Sequence, residues 1–325
     1  MFALLIVLTV IGAALGGTHS ELSTSASVPA NRTVSVHGVS LHYLDWGGTG
    51  EALVLLPAAC ETAHIYGDIA PAFTDRFRVL GPTTRGCGQS GRAPAYDLDT
   101  ELGELEGFLD ALQIKRATLA GFSASGGKAI RFARLYPSRV AKLVVFDSVY
   151  SYIAPGLEER VGAAITRRLG GDPDDSADLH RRYHEAWELG AWSASMDRNL
   201  RETYAVSADG VLRPVGAPEW WSAFRADMNA GRYFETRISH PTLMFFAVDL
   251  DQERLKQFDE VTRADIRPLA EETDRRRQVQ IEEFRKNGPL VRIIEMPATA
   301  HYCFVHKPQD VIREMRNFLL QESSR

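Results

Sequence analysis

A serine stands between small residues directly after an apolar run, at Leu119-Ala120-Gly121-Phe122-Ser123-Ala124-Ser125-Gly126-Gly127. Gly121-x-Ser123-x-Ser125 departs at one residue from the G-x-S-x-G turn that presents a nucleophilic serine. A serine hydroxyl is a weak nucleophile at its ordinary pKa. It needs exposure, a base and a place for developing negative charge. A sharp strand-to-helix turn supplies exposure, and it demands small neighbours because the backbone folds back on itself. It also aims a helix N-terminus at the developing charge.

The elements around this stretch fit such a turn. The segments "TVSVHG" and "VSLHYLDWG" alternate in polarity about a Gly turn and predict an antiparallel hairpin. "EALVLLP", "RFRVLGP", "RATLAG" and "AKLVVFD" are continuous apolar runs of strand length, which implies burial on both faces and a parallel sheet. Between them, "ELGELEGFLDALQI" carries apolar residues at 102, 105, 108, 109, 112 and 114, near a 3.6-residue period. "SGGKAIRFARLYP" reads as a helix ending before Pro137. Strands alternating with helices predict right-handed βαβ units in a doubly wound α/β sheet. Residues 150–240 lose the strand rhythm, read as helices, and are rich in tryptophan. A strand follows in "HPTLMFFAVD", then a charged helical block over 252–287, a strand in "LVRIIEMP" and a closing helix in "QDVIREMRNFLLQ".

With Ser123 at the turn and the elements in this order, residues 32–320 resemble the α/β-hydrolase family. "TTRGCGQSGR" (83–92) is similar to the family's Arg-Gly-x-Gly-x-Ser loop, a structural turn near the active site. The resemblance implies a core over 32–149 and 241–325 with a helical cap over 150–240. It also implies a histidine base after the last strand. His301 in "MPATAHYCFVHKP" holds that position, and His306 reads as a surface residue. For the acid, the family's Gly-x-x-Asp spacing is not kept: Ala247 stands at the Gly and Leu250 at the Asp. Asp249 is the first candidate, being nearer the strand end. Asp251 and Asp147 are the alternatives, the first suited to opening the next helix and the second following "VVF". The oxyanion hole is expected from the backbone N–H of Ala124 and of Ala59, or alternatively Ala58. Pro57-Ala58-Ala59-Cys60 replaces the His-Gly common in the family.

These residue types point to acyl transfer on an ester, thioester, lactone or amide, with no cofactor and no metal. A serine nucleophile argues against the epoxide and haloalkane members, which attack with a carboxylate. The aromatic residues Trp187, Trp192, Trp220 and Trp221 either line an apolar pocket for a small-molecule substrate or pack the cap against the core. The unfamiliar residues at 57–60 and 250 keep two other readings open. One is a ligand-binding protein without turnover, and the other is a cofactor-free peroxidase or perhydrolase using the same triad.

Composition sets the outer limits. The chain has 325 residues, is 45% hydrophobic and 24% charged, and carries a net charge of −5. That is ordinary for a globular protein and gives nucleic-acid binding no electrostatic support. Residues 1–17 form an apolar run ending in small residues, expected to be a signal peptide or a membrane anchor. Residues 18–31 read as a flexible N-terminus. The run is at the short end of the roughly 20 apolar residues a spanning helix needs. Export to the periplasm or outside the cell is the first expectation, with anchoring by residues 2–17 the alternative. Asn31 opens a glycosylation sequon, meaningful in a eukaryote. Of three cysteines, Cys60 and Cys87 either bridge in an oxidising compartment or are buried small hydrophobes like Cys303. Arg275-Arg276-Arg277, among many acids, predicts a solvated helix face.

Overall fold

The computed structural model describes residues 28–148, 153–208 and 211–321. The apolar segment at 1–17 lies outside them. Among the described residues no helix is long and apolar enough to cross a membrane.

The strands are β1 (Ala30–Val36), β2 (Val39–Gly47), β3 (Glu51–Leu56), β4 (Phe77–Pro82), β5 (Ala117–Phe122) and β6 (Val140–Phe146). The short pair β7 (Tyr204–Val206) and β8 (Leu212–Pro214) follows, then β9 (Thr242–Val248) and β10 (Val291–Pro297). Eight of them form one sheet in the order β1-β2-β4-β3-β5-β6-β9-β10. β1, β2 and β4 pair antiparallel, and β4 onward is parallel. The hairpin turns at His37 and Gly38, whose φ values of 49° and 79° suit the primed turn that matches strand twist.

Successive side chains of the central strands go to opposite faces. Val54 and Leu56 join the core beneath α1 (Leu98–Ala111) and α2 (Ala124–Leu135). Leu53 and Leu55 join the opposite core with Tyr66, Phe146 and Phe304. The closing helix α10 (Pro308–Leu319) seals that second face with Val311, Met315 and Phe318. The continuous apolar runs are therefore double-faced strands. Phe122 and Phe146, the last residues of β5 and β6, are wholly buried. They fix the strand ends from which the two following residues, Ser123 and Asp147, emerge.

Between β6 and β9 lie α3 (Leu157–Leu169), α4 (Ala177–Trp187), α5 (Ala194–Thr203), the β7–β8 pair and α6 (Pro218–Asn229). The β7–β8 pair is absent from the sequence reading because three-residue strands are too short to show a two-residue period. The charged block divides into α7 (Leu250–Leu255) and α8 (Glu260–Asn287), broken where Asp259 caps the second helix by accepting from the Thr262 amide. α9 (Cys303–His306) is a single turn before α10.

The expectation of a solvated face on α8 holds for two of its three arginines. Arg275 and Arg276 pair with Glu272 at the surface. Arg277 is 3% exposed and reaches Asp251 and Asp274, because this side of α8 packs Ile266 and Ala270 against Leu157, Val161 and Leu255.

Cys60 and Cys87 form a disulfide, with Cα atoms 5.1 Å apart, and Cys303 is buried and free. The bridge ties the loop after β3 to the Arg85-Gly86-Cys87-Gly88 loop and packs beneath Ala217 and Trp220 of the cap region. Closing a segment of 27 residues in the unfolded chain is worth about 3.5 kcal/mol. Replacing both cysteines by serine is expected to lower the unfolding free energy by about that amount in a denaturant titration. An unchanged midpoint would contradict it.

Candidate active site

Ser123 occupies the β5–α2 turn with φ 57° and ψ −132°, a region that L residues rarely adopt. Two glycines make the turn sterically feasible. A Cβ on Gly121 would collide with the Ser125 carbonyl, and one on Gly126 would collide with the Ser148 side chain. The Ser123 amide donates to the Phe146 carbonyl at 3.0 Å. The Ser148 hydroxyl donates to the Ser123 carbonyl at 2.5 Å and accepts from the Gly127 amide at 3.1 Å. The backbone of the serine is therefore held from two sides while its side chain faces a cavity.

Ser125, where the family's motif has its second glycine, has a task of its own. Its hydroxyl donates to the Pro57 carbonyl at 2.5 Å, linking the first turn of α2 to the loop that carries Ala58 and Ala59. Ala58 and Ala59 line the cavity with Ser123, and Ala124 opens α2 beside it. Among the described residues, the amides of Ala59 and Ala124 donate to no protein acceptor. That leaves them free for an oxyanion.

His301 follows β10 and reaches the same cavity. Its Nδ1 lies 2.6 Å from Asp147 Oδ2, so Nδ1–H is the donor and Nε2 is left as the basic nitrogen. The Phe122 ring packs against the imidazole, with centroids 4.6 Å apart. Burial disfavours the imidazolium. The Asp147 hydrogen bond and charge, helped by Glu188, outweigh burial and raise the His301 pKa above its ordinary value. Asp147 is itself held: its amide donates to Phe245 O at 2.8 Å, and its Oδ1 accepts from the Ala247 amide at 3.1 Å.

The structure therefore corrects the order of the acid candidates: the carboxylate on His301 is Asp147, at the end of β6. Asp249 is the residue before α7, at φ 60°. Asp251 is 4% exposed and lies between Arg254 Nη1 at 2.9 Å and Arg277 Nη2 at 3.3 Å. A buried carboxylate committed to two guanidiniums is a structural group. Asp251→Asn is expected to cost about 3 kcal/mol of stability, read from chemical denaturation. A change below about 0.5 kcal/mol would contradict this assignment.

His306 also departs from its sequence reading. It is half-buried, and its Nδ1 accepts from the Ala300 amide at 2.9 Å, which braces the histidine loop. Arg85 of the Gly-rich loop pairs with Glu104 at 2.5 Å and donates to the Pro94 and Ala95 carbonyls, the structural task expected of that loop.

Two cavities meet at Ser123 and His301. The smaller, about 140 Å³, runs toward Leu157, Leu250 and Asp251. The larger, about 450 Å³, runs under α4 and α5, and its size suits a small organic molecule. The tryptophans divide between the two roles foreseen for them. Trp187, Trp192 and Trp221 line the larger cavity, whereas Trp220 is buried and donates from Nε1 to Glu101 at 2.7 Å.

Three polar residues here carried no sequence signal, since each becomes notable only through long-range contact. Glu61 Oε1 accepts from the Tyr302 hydroxyl at 2.5 Å and from Asn199 Nδ2 at 3.2 Å, while its Oε2 is buried without a protein partner. Glu188 accepts from the Tyr302 amide at 3.2 Å and faces Arg254 at 3.8 Å. Asn199 Oδ1 accepts from both the amide and the hydroxyl of Thr62. Among the described residues no group of three or more metal-ligating side chains is found.

Comparison with known proteins points the same way as this geometry. Residues 51–247 match the family model described as alpha/beta hydrolase fold. A 2-hydroxy-6-oxononadienedioate/2-hydroxy-6-oxononatrienedioate hydrolase of Paraburkholderia phymatum is 36% identical over 134 residues, covering 39% of this chain and 46% of that one. An N-formylmaleamate deformylase of Pseudomonas putida is 32% identical over 120 residues, covering 36% of this chain and 45% of that one. The chain thus spans about half the length of these curated relatives. Among solved structures, an E-2-(acetamidomethylene)succinate hydrolase superposes with TM-score 0.64 at 16% identity, covering 90% of this chain and 99% of that one. A carboxylesterase of Bacillus subtilis does so with TM-score 0.62 at 16% identity, covering 91% and 93%.

Proposed function

Because the chain belongs to the α/β-hydrolase family, we propose that it is a serine hydrolase acting on an ester, thioester, lactone or amide bond of a small, mostly apolar molecule. The observation that carries this reading is the Asp147–His301 pair opening onto the cavity of Ser123.

The chemistry follows from the pair. His301 Nε2 takes the proton of the Ser123 hydroxyl as Oγ attacks the carbonyl carbon. Asp147 holds the ring in the tautomer that leaves Nε2 basic and stabilises the imidazolium without taking the proton. The Ala124 and Ala59 amides receive the oxyanion, and such donors are typically worth roughly 10²–10³ in rate each. The C–O, C–S or C–N bond then breaks, the leaving group takes the proton from His301, and an acyl-Ser123 ester remains. Water, deprotonated by His301, attacks that ester and restores the serine.

The two curated relatives described above are named for carboxylate-bearing substrates. The described lining of the larger cavity holds no Lys or Arg to meet such a carboxylate, and the two arginines on the smaller cavity, Arg254 and Arg277, face Asp251, Asp274 and Glu188. We also propose export through residues 1–17, since the Cys60–Cys87 disulfide is a bond that persists in oxidising compartments. The test of the activity is hydrolysis of short and long acyl esters by the wild type and by Ser123→Ala. Turnover lost in the variant supports the reading, and turnover retained by it would overturn the reading.

A further inference from the structure

The larger cavity has an unusual balance of charge and ring surface. Trp192, Tyr204 and Trp221 are half-buried rings that line it. Glu61, Glu158 and Glu188 also reach it, and no Lys or Arg does so among the described residues. Burial disfavours the charged form of its two imidazoles on α4. Burial and the neighbouring His180 hold His184 down to about 3, and burial lowers His180 as well.

The carboxylates differ in how far they are already satisfied. Glu188 faces Arg254 and accepts the Tyr302 amide. Glu61 forms no ion pair with a Lys or Arg among the described residues. Its Oε1 takes two donors, Tyr302 and Asn199, and its Oε2 takes none. Burial raises the Glu61 pKa to about 7 against the pull of Tyr302, His301 and Asn199. A buried carboxylate oxygen without a donor is costly, and a positive charge brought close to that carboxylate offsets part of the cost. The two guanidiniums that line the smaller cavity do not offset this. Arg254 and Arg277 together face Asp251, Asp274 and Glu188.

Resting on the serine-hydrolase reading of Ser123, we propose that Glu61 and the rings of Trp192, Tyr204 and Trp221 form a subsite for a protonated or quaternary amine carried by the substrate. The ring faces attract a cation through their quadrupoles. The Glu61 carboxyl, at the cavity wall, would in addition attract the cation by its charge. A carboxylate in the same place would meet three carboxyl groups and no Lys or Arg from the described lining.

The test is binding to the whole wild-type protein by isothermal titration, with choline, its neutral isostere 3,3-dimethylbutan-1-ol, and 3,3-dimethylbutanoate as probes. 3,3-Dimethylbutylamine serves as the protonated probe. The expected order places both amines at least about tenfold tighter than the alcohol, with the carboxylate weakest. In Glu61→Gln the amines are expected to lose most of that preference over the alcohol, and circular dichroism verifies that the variant is folded. Trp192→Leu offers a second route, because it removes ring surface and keeps the carboxylate. It is expected to weaken choline more than the alcohol. Equal affinities, tighter carboxylate binding, or no binding of either amine would overturn the proposal. Failure of the hydrolase reading shows separately, as Ser123 that resists acylation whatever the charge of the probe.

Discussion

Asp147→Asn is expected to lower kcat by about 10⁴-fold, while Asp249→Asn and Asp251→Asn are expected to leave the chemical step close to wild type in the folded protein. The asymmetry follows from what each carboxylate touches. Asp147 Oδ2 accepts the Nδ1 proton of His301 at 2.6 Å, and its Oδ1 is fixed by the Ala247 amide. An amide at 147 can present its NH₂ to Nδ1, which selects the tautomer that places the proton on Nε2 and removes the base. Asp249 sits in a left-handed conformation that Asn also accepts, so Asp249→Asn keeps the backbone. Asp251→Asn is felt in stability, through Arg254 and Arg277.

The same pair sets the pH response. Asp147, aided by Glu188, raises the His301 pKa although burial opposes it. The base must be neutral, so kcat/KM is expected to rise with pH along a limb whose midpoint lies above the ordinary histidine value of about 6.5. Asp147→Asn is expected to move that limb down. Stability runs the other way. A raised folded-state pKa contributes stability that is fully present below the unfolded value of about 6.5, and this is lost as pH rises through the folded value. A limb that stays in place in Asp147→Asn would detach the aspartate from the base.

The second large effect is that of Ser123→Ala, expected to reduce kcat by at least about 10⁴-fold, with the fold unchanged. The serine backbone is fixed by the Phe146 carbonyl and by the Ser148 hydroxyl, contacts that alanine keeps. Its positive φ costs alanine about what it costs serine. The loss therefore reads the hydroxyl alone. Ser125→Ala supplies the contrast: it removes the donor to the Pro57 carbonyl and loosens the loop of Ala58 and Ala59, yet leaves the nucleophile in place.

The parallel sheet was legible because strands buried on both faces are written as unbroken apolar runs, as in Leu53–Leu56 and Leu119–Phe122. Ser123 was legible because it follows such a strand, next to glycines, and His301 because it lies on the loop between the last strand and a closing amphipathic helix. The acid was not, since Asp147, Asp249 and Asp251 all follow strand ends. What separates them is a side-chain distance across 154 positions of sequence. The split of the charged block was hidden as well. Asp259 is one acid among many there, and only its bond to the Thr262 amide marks it as a cap. Glu61 was invisible for a related reason. Its isolation depends on Tyr302 and Asn199 approaching one of its oxygens and nothing approaching the other.

The most direct measurement is the reaction of the folded protein with a fluorophosphonate, followed by mass spectrometry of the peptide that carries the adduct. The account predicts one phosphonyl group on Ser123, formed quickly in the wild type, far more slowly in His301→Ala and Asp147→Asn, and absent from Ser123→Ala. Folded wild-type protein that stays unlabelled, or that is labelled at another residue at the same rate with and without His301, would contradict it.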